Sequence, residues 1–448
     1  MPMTTTIATF EQRQENIPFA DLPKTFQDAI IITRRLGIQY LWIDSLCIIQ
    51  DSEEDWTKEA ARMGSVYRNC LVCIAADGAV NSSGGCFIAG DRRRNLDIAH
   101  VKCPGDSDVH IRDSPHLMAG HGFAHVGNIS EFYESKLDTR GWVLQEQCLA
   151  PRTLHYTVAE LAFDCATCIR CECTLAPEEV ETFAAISQLR ACKRMMRYSA
   201  KSVSADSANW EERPRWPNFV ALFTQRSLTY QTDRLHAMSG MAAVLEGQSG
   251  NFLAGLWRGD LPLGLLWRRN SKHANGAALV SRRHEKYYAP SWSWASLTAE
   301  VEFITLPGRP HNFKLVPDLE ILEATCVPIG ANPYGPVRSG HLKVRGLLAS
   351  MFPGDTVNAV PIGRGFDSDV IEGGVTEIVD GEPLWALLVA HGERSKPGMS
   401  DLEGHHCIVL RKSCLLETAF ERIGCMWGLK DWSSGLTKRA ERKTVILL

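Results

Sequence analysis

Between residues 22 and 36 the positions Phe26, Ala29, Ile30, Thr33 and Leu36 recur at helical spacing. Asp21 can cap this predicted helix, Pro23 suits its first turn and Gly37 ends it. Residues 40–49, YLWIDSLCII, form a mostly apolar run of strand length, the pattern of a strand covered on both faces. Ser52 then opens a second predicted helix over 52–68, with Asp55 placed for a capping box. Residues 70–75 form a second short apolar strand. Strand, helix, strand predicts an α/β sheet in which 40–49 and 70–75 are parallel neighbours joined by a right-handed crossover.

The pattern changes farther along. Residues 78–134 are rich in Gly, His and Asp and read as loops and short strands. Periodicity returns at LDTRGWVLQEQCLAPRTLHYT, from Leu137 to Thr157. Residues 199–209 are small or polar and read as a linker. Residues 216–245 and 254–266 read as mainly helical. After YYAPSWSWAS, short apolar runs alternate with Gly/Pro turns, which predicts a β-rich C-terminal region. The expected organisation is an α/β domain over 1–198, a linker and helical middle over 199–286, and a β-rich region over 287–448.

Composition narrows the classes. The chain has 448 residues, 45% of them hydrophobic, enough for two or three domains. A formal net charge of −4 gives no basic excess for nucleic acid. Arg92-Arg93-Arg94 reads as a solvated loop. No apolar run reaches the ~18 residues of a membrane span, and the N-terminus lacks the basic start and apolar stretch of a signal peptide. A cytoplasmic protein is expected, with its 15 cysteines mostly reduced.

One carboxylate stands out. At ~100° per residue, Trp56, Ala60, Met63 and Tyr67 form a stripe on the second helix, and Glu59 lies about 60° from Trp56 beside Val66. Glu59 either belongs to a solvated face, paired with a nearby arginine, or is a partly buried carboxylate facing a cleft beyond a strand end. In the second case partial desolvation would raise its pKa and suit it to acid/base or charge-stabilising work.

The stretches LPKTFQDAI, YLWIDSLCIIQDSEEDWTKEAARMGSVYRN and TRGWVLQEQCLAPRTLHYT resemble, in that order, the fungal heterokaryon incompatibility domain, over roughly residues 1–175. TDRLHAMSGMA, FLAGLWRGDLPLGLLWR and YAPSWSWAS resemble the region that follows it in many such proteins. The resemblance implies non-self recognition and programmed cell death when incompatible hyphae fuse. It also implies a distant likeness to TIR domains, flavodoxin-like parallel sheets of which some cleave the nicotinamide–ribose bond of NAD with a glutamate in a tryptophan-containing helix. On that likeness Glu59 is the catalytic residue. Trp56, with Asp44 and Ser45 in the preceding run, lies at the NAD site. Arg140 and Glu146 of RGWVLQEQ are a phosphate ligand and a second site carboxylate, or else a structural Arg–Glu network around Trp142. A glutamate beside a developing oxocarbenium is chemically sensible, because nicotinamide leaves from an already cationic ring. No cofactor is required on this reading, and NAD enters as substrate. The family domain usually opens with a Leu-Ser-x-x-Trp-Gly strand that residues 1–19 do not match, which predicts an exposed strand edge or compensating contacts.

Other constellations carry weaker signals. CATCIRCEC holds Cys165, Cys168, Cys171 and Cys173, spaced too closely for a zinc ribbon, and an extended backbone would send successive thiols in opposite directions. His116, His121 and His125 are irregularly spaced in a Gly-rich loop, and Ser45 and Ser239 lack a nucleophile elbow. Trp292 and Trp294 fall on one face of a predicted strand, either as core or as a stacking platform. Three functional readings stand. The first is an NAD-cleaving enzyme, and the second a non-catalytic module that works through a protein partner or self-association. The third is a family member recruited to fungal small-molecule metabolism.

Overall fold

The computed structural model describes residues 3–87, 97–102, 108–112, 135–158, 161–171, 184–197, 216–246, 250–270, 282–304, 313–351, 383–394, 404–429 and 436–448, with five two-residue strands between 356 and 376. The chain forms two compact units, Met1–Ser204 and Ala205–Leu448.

In the first unit, α1 spans Phe10–Glu15, α2 Lys24–Arg35, α3 Asp44–Cys47 and α4 Glu53–Asn69. Strand β1 is Cys73–Ala75, and β2 (Asp97–Lys102) pairs with β3 (Asp108–Arg112). Then follow α5 (Gly141–Leu149), β4 (Arg152–Tyr156), β5 (Leu161–Cys165), β6 (Ile169–Cys171) and α6 (Ala184–Arg197). Both predicted helices form. Pro23 rather than Asp21 occupies the N-cap position of α2, without a side-chain capping bond, and Gly37, at φ +71°, ends the helix in the left-handed region that glycine tolerates. Ser52 caps α4 by accepting the Asp55 N–H at 3.2 Å. The Asp55 carboxylate accepts from the Ile49 N–H at 2.8 Å rather than closing a reciprocal box, and so ties the helix start to the segment before it.

The main correction concerns residues 40–49. They do not form a strand. Residues 38–43 lie outside regular structure, 44–47 are helical as α3, and Ile49 makes only an isolated parallel bridge to Thr5. Strand β1 takes its parallel neighbour from 80 residues farther on, with Ile74 opposite Leu154 of β4. The sheet order is β1-β4-β5-β6, and the remaining pairs are antiparallel. The described residues therefore hold a small mixed sheet with a single parallel pair, rather than a flavodoxin-like parallel sheet. The physical reason is that an apolar run becomes a strand only if another strand satisfies its backbone, and no described strand lies beside 40–43. The N-terminal segment compensates in part. Thr5 donates its N–H to the Ser45 carbonyl and accepts from the Gln50 N–H, both at 2.8 Å, and its hydroxyl donates to the Leu46 carbonyl at 2.7 Å.

In the second unit, helices form at Trp216–Thr224 and His236–Leu245. Residues 254–266, read as helical from sequence, instead hold a short strand, Leu256–Trp257, paired with the preceding Phe252–Leu253, and two 3-10 turns. Ala254 at φ +47° and Gly255 at φ +102° break the helix. A Cβ on Gly255 would meet Trp294 Nε1 at 2.7 Å, and the Gly255 carbonyl accepts from both Trp216 and Trp294 indoles at 2.7 Å. Trp292 and Trp294 are fully buried, and Trp294 opens a 3-10 turn where the sequence pattern predicts a strand. They fill the core.

The β-rich C-terminal region forms as expected. Strands Leu384–Arg394, Gly404–Lys412, Ala419–Leu429, Glu441–Leu447 and Val337–Met351 pair in that order, and Val337–Met351 pairs back onto Leu384–Arg394, closing the ring. Closure removes the open edges these strands would otherwise expose. Ala386, Val409 and Ile423 are among its fully buried core residues. Arg422, also fully buried, lies 3.4 Å over the Trp267 ring and donates to the carbonyls of Leu265 (2.6 Å) and Trp267 (2.5 Å). No helix of the described residues is long and apolar enough to cross a membrane.

Candidate functional site

The segment that failed to become a strand lines a groove. Ile38 and residues 40–43 line it together with Leu71, Val72 and Ile74, with Phe26 and Ala29 of α2 contributing and a volume of about 750 Å³. The lining is mainly apolar. Tyr40 is 86% and Leu71 54% exposed, and Leu41, Trp42, Ile43 and Val72 are half-buried. Contiguous exposed apolar surface of this kind marks an interaction site more often than a solvated face. The lining segments also offer backbone. Strand β1, whose Cys73 and Ile74 line the groove, pairs only with β4, which leaves its other edge without a strand partner among the described residues. The main-chain groups of residues 39–42 make no hydrogen bond among the described residues.

A few polar groups face this apolar surface. Tyr67 of α4 donates its hydroxyl to Glu146 Oε2 at 2.8 Å, and both line the groove with Asp44. Burial pushes the Tyr67 phenol well above its ordinary value, and the neighbouring Glu146 charge pushes it further. Trp42 packs edge-on against Tyr67 with ring centroids 5.7 Å apart. The Asp44 carboxylate accepts from the Ser45 N–H at 2.7 Å at the start of α3.

The other sequence candidates lie elsewhere. Glu59 sits on the face of α4 that carries Val66, but two turns, about 10 Å, nearer the N-terminus, and does not line the groove. Its side chain is 15% exposed and accepts from the 63% exposed Arg62 at 2.8 Å. Its charge is felt at Cys47, whose thiol is pushed up first by burial and then by Asp44 and Glu59. Trp56 packs edge-on against Trp142 at 6.4 Å, locking α4 to α5. The Ser45 hydroxyl is buried without a hydrogen-bond partner among the described residues. Arg140 is exposed at the N-cap of α5. Of the six candidates, the groove brings together Asp44 and Glu146, while Glu59, Trp56, Ser45 and Arg140 do not line it. Ser239 is buried in the helix His236–Leu245, its hydroxyl donating to the His236 carbonyl at 2.8 Å. His116, His121, His125 and Arg92–Arg94 lie outside the described residues.

Two side-chain pairings escaped the sequence reading. Asp77, just after β1, accepts from the Ser135 hydroxyl at 2.7 Å and lies 2.7 Å from Nδ1 of His155 on β4, a buried polar link at the C-terminal ends of the parallel pair. No local signal joins residues so far apart in sequence. The second is Cys165 and Cys168. They do not point apart along an extended backbone, because a tight turn between β5 and β6 brings their sulfurs to 3.7 Å. The Cys171 side chain and all of Cys173 lie outside the described residues.

Residues 3–146 match the family model described as heterokaryon incompatibility protein (HET). No curated protein and no solved structure matches the chain.

Proposed function

We propose that the heterokaryon incompatibility domain this chain carries in residues 3–146 is a docking module for self/non-self recognition, whose groove takes up an extended apolar segment of a protein partner. The observation that carries this reading is the combination, around one groove, of apolar lining residues with backbone that has no hydrogen-bond partner among the described residues. Strand addition needs an open edge for main-chain hydrogen bonds and side pockets for alternate residues. The edge of β1 and residues 39–42 supply the first, and Leu41, Ile43, Val72 and Ile74 supply the second. A volume of about 750 Å³ suits a short strand lying between them. Glu146 and Asp44 put negative charge on the lining, favouring a partner strand that carries Lys or Arg.

NAD cleavage is the competing reading, with Glu59 as its catalytic group. The same preparation separates the two. Titration calorimetry uses eight-residue peptides that alternate Val or Ile with Thr and end in Lys, alongside versions interrupted by proline. Binding of the alternating peptides, lost with proline and lost in Leu71→Asp, supports docking. Equal binding of both peptide sets, or no binding together with nicotinamide release from NAD, overturns it.

A further inference from the structure

We propose that Cys165 and Cys168 form a dithiol–disulfide site that reacts with low-molecular-weight disulfides of the glutathione class. The site is independent of the groove. Cys165 ends β5 and Cys168 immediately precedes β6, and Asp164 pairs with Ile169 one step inside the hairpin. The Cys165 N–H donates to the Cys168 carbonyl at 3.0 Å, so the two residues face one another across the hairpin end. Hydrogen-bonded residues that face one another in antiparallel strands have Cα atoms about 5.5 Å apart, inside the range a disulfide spans. The sulfurs stand 3.7 Å apart, and side-chain rotation alone can close the remaining distance.

The turn is held from outside the hairpin. Ala166 is buried, and its carbonyl accepts from Arg194 Nε of α6 at 3.0 Å. Thr167 is exposed and leaves the pair open to solvent. The two thiols are not equivalent. The Cys168 N–H points at Cys165 Sγ at 3.4 Å, and the Thr167 hydroxyl lies 3.1 Å from the same sulfur. Burial alone would push the Cys165 thiol up, but these hydrogen bonds outweigh it and leave the thiol below its ordinary value. Cys168 moves the other way, raised by burial and by its neighbour. Elsewhere burial pushes up the thiols of Cys73, Cys86, Cys326 and Cys407. Cys165 is thus suited to attack and Cys168 to resolve.

The reaction balances without another reagent. The Cys165 thiolate attacks one sulfur of glutathione disulfide, forming a mixed disulfide and releasing one glutathione thiolate. Cys168 loses its proton to water, and its thiolate attacks the Cys165 sulfur. This closes the protein disulfide and releases a second glutathione. The protein loses two hydrogens, and one glutathione disulfide becomes two thiols.

The test incubates the full chain in defined ratios of reduced and oxidised glutathione, quenches with acid, alkylates the free thiols and maps cysteine peptides by mass spectrometry. The expected result is a Cys165–Cys168 disulfide that forms before the exposed Cys47 and Cys414 acquire glutathione. Cys168→Ser should stop at glutathione on Cys165. Cys165→Ser should leave Cys168 slower to react than Cys165 is in Cys168→Ser. Three results would overturn the proposal. They are a pair that stays reduced while Cys414 is modified, a disulfide mapped to Cys171 or Cys173 instead, and two serine variants that react equally fast.

Discussion

The Tyr67 hydroxyl donates to Glu146 Oε2 at 2.8 Å, a bond between α4 and α5 that spans 79 residues of chain. It places one carboxylate of the RGWVLQEQ motif on the wall of the groove and gives it a partner there. Glu146 is thereby held by a helix that the sequence pattern assigns to a different role.

Tyr67→Phe keeps the ring packed on Trp42 and removes only the donor. A bond to a charged acceptor in a partly buried site is worth about 1.5–3 kcal/mol. We expect the urea midpoint of the first unit's transition to fall by a corresponding amount, and Tyr67→Phe/Glu146→Gln to recover part of the loss because the amide no longer carries charge. Full stability in Tyr67→Phe would remove the bond from the account.

Glu59→Gln tests the enzymatic alternative. In the structure Glu59 meets an exposed arginine three residues away. Such helix pairs contribute about 0.2–0.5 kcal/mol, so the amide should leave the melting curve nearly unchanged. On the docking reading, nicotinamide release from NAD stays at background in wild type and variant alike. Release by wild type that drops about a hundredfold in Glu59→Gln would establish the catalytic role instead.

Gly85→Ala should destabilise the first unit. Gly85 has φ +77°, and an added Cβ would lie 2.5 Å from Asp28 Oδ2. That carboxylate is fully buried, is paired with Lys24, and accepts from the Cys86 N–H at 2.9 Å. A left-handed alanine costs about 1–2 kcal/mol by itself, before any displacement of Asp28. Thermal unfolding followed by circular dichroism should show a lower midpoint. An unchanged midpoint would mean the loop moves aside without cost.

Acid should weaken the second unit. Burial lowers the His236 imidazole to about 4, and burial together with the nearby Arg234 lowers His284 to about 4, from an ordinary 6.5. Below pH 6.5 the unfolded chain binds protons that the folded chain refuses. Stability is therefore retained above 6.5 and falls as the pH drops from 6.5 toward 4, by at most about 1.4 kcal/mol per pH unit for each histidine. Urea titrations followed by the fluorescence of the buried tryptophans should show this slope, and His236→Asn should flatten it. A slope unchanged in the variant would assign the acid sensitivity to other groups.

The features legible in the chain alone are local. Helical spacing, Pro23, Gly37 and Ser52 were enough to place α2 and α4, because each of these signals acts within one or two turns of the backbone it shapes. Alternation and turn residues likewise marked the β-rich C-terminal region. Strand identity, by contrast, was decided by tertiary structure. YLWIDSLCII and TLHY are both apolar enough, yet only the second lies beside β1, because a strand needs a partner for its backbone and that partner is chosen across the whole fold. The same holds for residues 254–266, where two indoles converge on the Gly255 carbonyl, and for the closing of the C-terminal sheet. It holds also at the candidate sites. The sequence could name Glu59, Asp44 and Glu146 as carboxylates near one another in the chain's logic. Only the folded chain sorts them, leaving Glu59 against Arg62, Glu146 against Tyr67 on the groove wall, and Cys165 within 3.7 Å of Cys168, since contact between side chains depends on the packing of distant segments and leaves no trace in local spacing.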